Sequence, residues 1–107
     1  MKNRRSYSLL QIRELGHGIH DLPGFDTSDF RSFAVRLDPH EKRLPIDRSA
    51  ETLLLVVEGT LTVVWRDTTR VSTELGEGDT AFANPPAVEV LLAGVEGATF
   101  LALASRG

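Results

Sequence analysis

The chain has 107 residues, 41% of them apolar and 25% charged, which bounds it to one domain with a modest core. Its net charge of -3 argues against nucleic acid or an anionic membrane as the main partner. The absence of cysteine excludes disulfides, zinc–thiolate sites and thiol nucleophiles. No apolar run approaches the roughly 20 residues that span a bilayer, and Ser6–Arg13 lacks a signal-peptide core and cleavage site. The expected location is cytoplasmic.

In chain order, Met1–Arg5 reads as a basic tail. Tyr7–Leu15 suits either a short helix, with Leu9, Leu10, Ile12 and Leu15 on one face, or an edge strand. Gly16-His17-Gly18 and Leu22-Pro23-Gly24 are breakers, so Gly16–Asp29 reads mostly as loop. In Phe30–Leu37 the residues Phe33, Val35 and Leu37 share one face and Arg36 the other, the alternation of a strand. Asp38-Pro39 ends it, and His40–Ala50 is a polar loop with room for a short extended piece.

Thr52–Val57 and Thr60–Trp65 are β-rich runs separated by Glu58-Gly59, which predicts a hairpin because Gly supplies the positive φ of a tight turn. Arg66–Arg70 is a turn, Val71–Leu75 a strand, Gly76–Asp79 a tight turn and Thr80–Ala83 a strand. Asn84-Pro85-Pro86 makes a corner, Val88–Leu92 a strand, Ala93–Gly97 a turn and Thr99–Ala104 the last strand. Short strands at this spacing predict an all-β sandwich or barrel.

Two stretches carry a resemblance to a known family. ETLLLVVEGTLTV, where a strand closes on Glu58-Gly59, and GEGDTAFANPPAVE, where Gly78-Asp79 leads a strand into a Pro corner, resemble the two sequence motifs of the cupin superfamily. The likeness runs over about residues 30–104 and rests on the order and separation of the motifs. It implies a cupin-type jelly-roll (double-stranded β-helix) barrel over 30–107, preceded by an N-terminal segment at 1–29.

The resemblance also implies a metal site made of two His and a Glu from the first motif and a His from the second. Counted from Gly59 and from Gly78-Asp79, those positions hold Ile46, Arg48, Thr52 and Glu89. Ile has no donor atom, Arg is a permanent cation and Thr is a poor ligand, so no metal is expected there. A slip of one residue would bring in Glu51, with Asp47 and Pro45, but no imidazole, and would exchange the faces of the strand.

What remains at the barrel mouth is Arg48, Thr52, Asn84 and Glu89, above an interior of Leu54, Val56, Phe82 and Leu91. An Arg48–Glu89 ion pair would replace the metal as a cross-link, or Arg48 would bind a carboxylate. Against both stands the ordinary fate of such residues, a solvated rim. His17, His20 and His40 are treated as surface residues, and a non-standard metal site from these with Glu51 or Glu89 is left open. Trp65 is assigned to packing or a dimer contact, with ligand stacking as the lesser alternative, and Tyr7 carries no role.

The expectation is a metal-independent small-molecule-binding or regulatory protein without catalysis or cofactor, probed by a small anionic or partly apolar ligand and assembled as a homodimer. The rival is a divergent enzyme: a metal-dependent dioxygenase or isomerase, or a metal-free isomerase or lyase with Glu89 as base, for which Glu89 would sit in a closed pocket. A third alternative is a barrel that serves only as a dimerisation scaffold.

Overall fold

The computed structural model describes residues 9–22, 28–45, 50–66, 72–83 and 88–106. One short helix, α1 (Leu9–Arg13), precedes seven antiparallel strands: β1 (Gly18–Asp21), β2 (Phe30–Leu37), β3 (Lys42–Arg43), β4 (Thr52–Trp65), β5 (Ser72–Leu75), β6 (Thr80–Ala83) and β7 (Val88–Ser105). The all-β expectation holds, with the N-terminal segment helical where a helix or an edge strand was allowed.

Two long strands are the spine. The second half of β7 lies between β2 and the first half of β4, and the order there is β1-β2-β7-β4-β6. The first half of β7 lies between β3 and the second half of β4, which pairs in turn with β5. Both strands pass from one layer to the other, so the same chain segments serve both walls of the barrel.

This corrects the hairpin predicted at Glu58-Gly59. The chain does not reverse there; it bends within β4, with register shifts at Val56/Glu58 and Gly59/Leu61. Gly59 takes the positive φ of 79° that the sequence suggested, but uses it for a bulge that turns the strand into the second layer. The turn predicted at Ala93–Gly97 is likewise a bend inside β7, because Ala93 pairs with Leu61 and Ala98 with Gly59. The loop predicted over Gly16–Asp29 contains β1, whose residues Gly18 to Asp21 pair with Arg36 to Phe33 of β2.

The core lies between the layers. Phe33, Val35 and Leu37 of β2, Leu54, Val56, Leu61 and Val63 of β4 and Leu91 and Phe100 of β7 are all buried in one cluster. Small residues on β7, namely Ala98, Ala102 and Ala104, alternate with outward Leu101 and Leu103. They leave room for the larger side chains facing them. Phe82 does not join this interior. It is 56% exposed, because Ala81 and Ala83 take the inward positions of the four-residue β6.

A second, smaller cluster sits on the outside of the first layer. Ile12 of α1 and Leu22 cover Ala34 of β2 and Val57 of β4, with Leu15 and Leu101 at its margin. The helix is fixed there by Arg36, whose Nη1 donates to the carbonyl oxygens of Arg13 at 2.6 Å and Leu15 at 3.3 Å. A guanidinium at this position satisfies last-turn carbonyls that have no partner within the helix. No helix among the described residues is long and apolar enough to cross a membrane.

Candidate functional site

The bends in β4 and β7 define one end of the barrel, and the outer ends of the same strands define the other. Thr52 and Glu89 belong to the end away from the bends: Thr52 opens β4 opposite Ala104, while Val88 next to Glu89 opens β7 opposite Trp65. Arg48, Asn84 and Ile46 lie outside the described residues, so the expected Arg48–Glu89 pair does too.

Thr52 faces inward, 8% exposed, in the same alternation as Leu54 and Val56. The ungapped register with Thr52 inside is therefore the one adopted, and Glu51 is on the exposed side. Thr52 is flanked by Ala83 of β6 and Ala104 of β7, both buried. Its Oγ1 donates to the carbonyl oxygen of Ala50 at 3.1 Å, so its only proton is used by the backbone.

Glu89 is exposed, and the reason is a bulge. Val64 and Trp65 are adjacent on β4, but their partners Val90 and Val88 are not adjacent on β7. Glu89 is the extra residue between them, while Val88 and Leu91 are buried on either side. Trp65 packs against the core, and its Nε1 donates to Oγ1 of Thr73 at 2.9 Å. That satisfies the indole, as the packing assignment requires.

The metal site implied by the fold does not fit these residues. The inward position on β4 offers a hydroxyl engaged with the backbone, the carboxylate on β7 is turned outward, and Ile46 and Arg48 bring no ligand atom suited to a cation.

The bend end of the barrel carries the polar group that sequence reasoning did not assemble. His17, Asp38 and Glu41 place ligand-type atoms within 4.8 Å of one another. His17 Nε2 is 2.7 Å from Glu41 Oε1 and 4.0 Å from Asp38 Oδ2. The same Glu41 oxygen accepts the backbone N–H of Asp38 at 2.8 Å. Since a carboxylate only accepts, the Nε2 proton is the donor.

Local structure explains the grouping. The pairing of Gly18 with Arg36 brings His17 level with Leu37, the last residue of β2, and so next to Asp38. Asp38–Glu41 then closes as a turn, with Glu41 N–H donating to Asp38 O, and His40 N–H anchors it to Gly94 O of β7. His40 adopts a positive φ of 62°, uncommon for a residue with a side chain. The Glu41 carboxyl is held below the usual glutamate range, first by the Asp38 N–H; partial burial opposes this, and the His17 hydrogen bond and charge and the Arg43 charge add to it. The other two histidines stand apart: His20 Nε2 donates to Gly16 O at 2.7 Å, and His40 is exposed.

No family model and no curated protein matches the chain. Solved structures do. A protein with a double-stranded β-helix domain from Klebsiella pneumoniae is similar with a TM-score of 0.70 at 19% identity, covering 96% of this chain and 90% of that one. A cupin-2 domain protein from Shewanella frigidimarina gives 0.67 at 13% identity, over 90% of this chain and 89% of that one. A variant of oxalate decarboxylase from Bacillus subtilis gives 0.68 at 22% identity, over 87% of this chain and 26% of that one. These likenesses establish the cupin fold, a jelly-roll barrel, and nothing finer.

Proposed function

We propose that the chain is a small-molecule-binding or regulatory barrel of the cupin fold that works without a metal inside the barrel and without catalysis of its own. The observation that carries this reading is Thr52: a buried residue at the inward position of β4, its hydroxyl committed to Ala50 O, in a wall of Ala83, Ala104 and Leu54. Such a wall suits the apolar part of a small ligand, and Arg48 and Asn84 supply the polar contacts to a carboxylate or similar anion. The exposure of Glu89 gives no support to the closed pocket that the enzyme alternative calls for.

The test is a screen of small carboxylic acids with short apolar tails against the full chain, followed by thermal shift and by amide chemical shifts of Thr52 and Ala104. Binding at this end that is lost in Arg48→Ala supports the reading. Turnover of a screened compound, or barrel-mouth binding only in the presence of a divalent metal, overturns it.

A homodimer is part of the proposal. Leu53 and Phe82 pair across β4 and β6 on the outer face and are 38% and 56% exposed, an apolar patch beyond the cover that α1 provides. A second copy burying this patch would remove both residues from water.

A further inference from the structure

We infer that His17, Asp38 and Glu41 form a binding site for one borderline divalent cation such as Zn²⁺ or Co²⁺, outside the barrel and at the end opposite its mouth. The inference stands apart from the proposed ligand site. Leu37 pairs with Ala98 and Thr52 with Ala104 on the same strand, and six residues of strand separate the two by about 20 Å.

Geometry comes first. Two ligand atoms bound to one ion at about 2.1 Å can be no more than about 4.2 Å apart. The separations of His17 Nε2 from Glu41 Oε1 and from Asp38 Oδ2, 2.7 and 4.0 Å, lie within that limit. The third pair is within 4.8 Å, so it has to close by no more than about 0.6 Å to meet the limit. The three groups come from two segments, His17 after α1 and the Asp38–Glu41 turn between β2 and β3, and the pairing of β1 with β2 brings the two together. Glu41 is already oriented by the Asp38 N–H, which acts as an outer-shell donor to a ligand oxygen.

Donor chemistry sets the class of ion. Mg²⁺ and Ca²⁺ take oxygen ligands, whereas one imidazole nitrogen with two carboxylates suits Zn²⁺, Co²⁺ or Ni²⁺. To bind, the ring must be the neutral tautomer with its proton on Nδ1, so that the Nε2 lone pair meets the ion. His17 and Asp38 side chains are 50% and 70% exposed, which gives an ion a direct path in and leaves coordination positions for water. Such a three-ligand, water-completed site is the open kind.

The deciding experiment is titration of the untagged, chelator-treated full chain with CoCl₂ and ZnCl₂, followed by calorimetry, by the visible spectrum of Co²⁺ and by the ¹⁵N shifts of the histidine rings. One saturable equivalent is expected, with the His17 Nε2 resonance moving and those of His20 and His40 staying. His17→Ala and Glu41→Gln should each weaken it by at least about tenfold, the lower bound for changes even to outer-shell groups, while His20→Ala binds as the parent does. His17→Gln, at a half-exposed position, decides the matter if Glu41→Gln fails to fold. No saturable binding at millimolar Zn²⁺, or equal binding by parent and both His17 variants, overturns the inference.

Discussion

Gly59 of β4 and Gly97 of β7 touch where the two long strands bend: a Cβ on Gly59 would run into the carbonyl oxygen of Gly97, and one on Gly97 would come within 2.6 Å of Leu37 O. Both residues have positive φ, 79° and 83°. Backbone from β2, β4 and β7 therefore meets at one point with no space for a side chain. Gly59→Ala should cost about 2–4 kcal/mol, combining an unfavourable φ with overpacking against backbone that cannot swing aside. Urea denaturation measures it; a loss under 0.5 kcal/mol would show that the bend relaxes freely.

The positions of the strands were largely legible in the sequence, because Phe33, Val35 and Leu37 and the run from Thr52 to Val57 alternate or saturate with apolar side chains as strands do. The direction of the chain between them was not. A glycine of positive φ after Glu58 serves a hairpin and a bulged bend equally well, and the choice is made by Ala98 of β7, far along the chain. The polar cluster was hidden for the same reason. His17 stands between glycines and Asp38–Glu41 reads as an ordinary turn, and only the β1–β2 register joins them. Phe82 misled because a four-residue strand gives too few alternations to fix its phase; the inward face belongs to Ala81 and Ala83.

Arg36 ties α1 to the barrel through the carbonyl oxygens of Arg13 and Leu15. Arg36→Ala removes two charge-assisted hydrogen bonds, of the kind worth about 1.5–3 kcal/mol where partly buried. The expected loss falls on the helix, not on the barrel. Amide exchange should rise through Gln11–Leu15 while protection at Phe100 and Leu54 is retained. Uniform loss of protection would mean that α1 and the barrel unfold as one unit.

Phe82 and Leu53 stand side by side on the outer face. If a second copy covers them, Phe82→Ser should convert a dimer to a monomer in sedimentation while the unfolding free energy of the monomer changes by less than about 0.5 kcal/mol, as for other exposed positions. A parent chain that sediments as a monomer at high micromolar concentration refutes the homodimer.

Glu41 makes the metal-free fold sensitive to acid, and the sign follows from the direction of its shift. Its folded carboxyl titrates below the usual value of 4.5, chiefly because the Asp38 N–H stabilises the charged form. The unfolded chain therefore takes up this proton first as pH falls. The contribution is whole above the unfolded value and is lost as pH drops from about 4.5 through the lower folded one. In chelator-treated protein, Glu41→Gln should be less stable than the parent at pH 7, and the difference should shrink as pH falls through that window. Its size is small, since an exposed imidazole faces it across solvent-screened surface. Parallel stability curves for parent and variant between pH 7 and pH 3 would show that the Asp38–Glu41–His17 contacts do not hold the turn in solution.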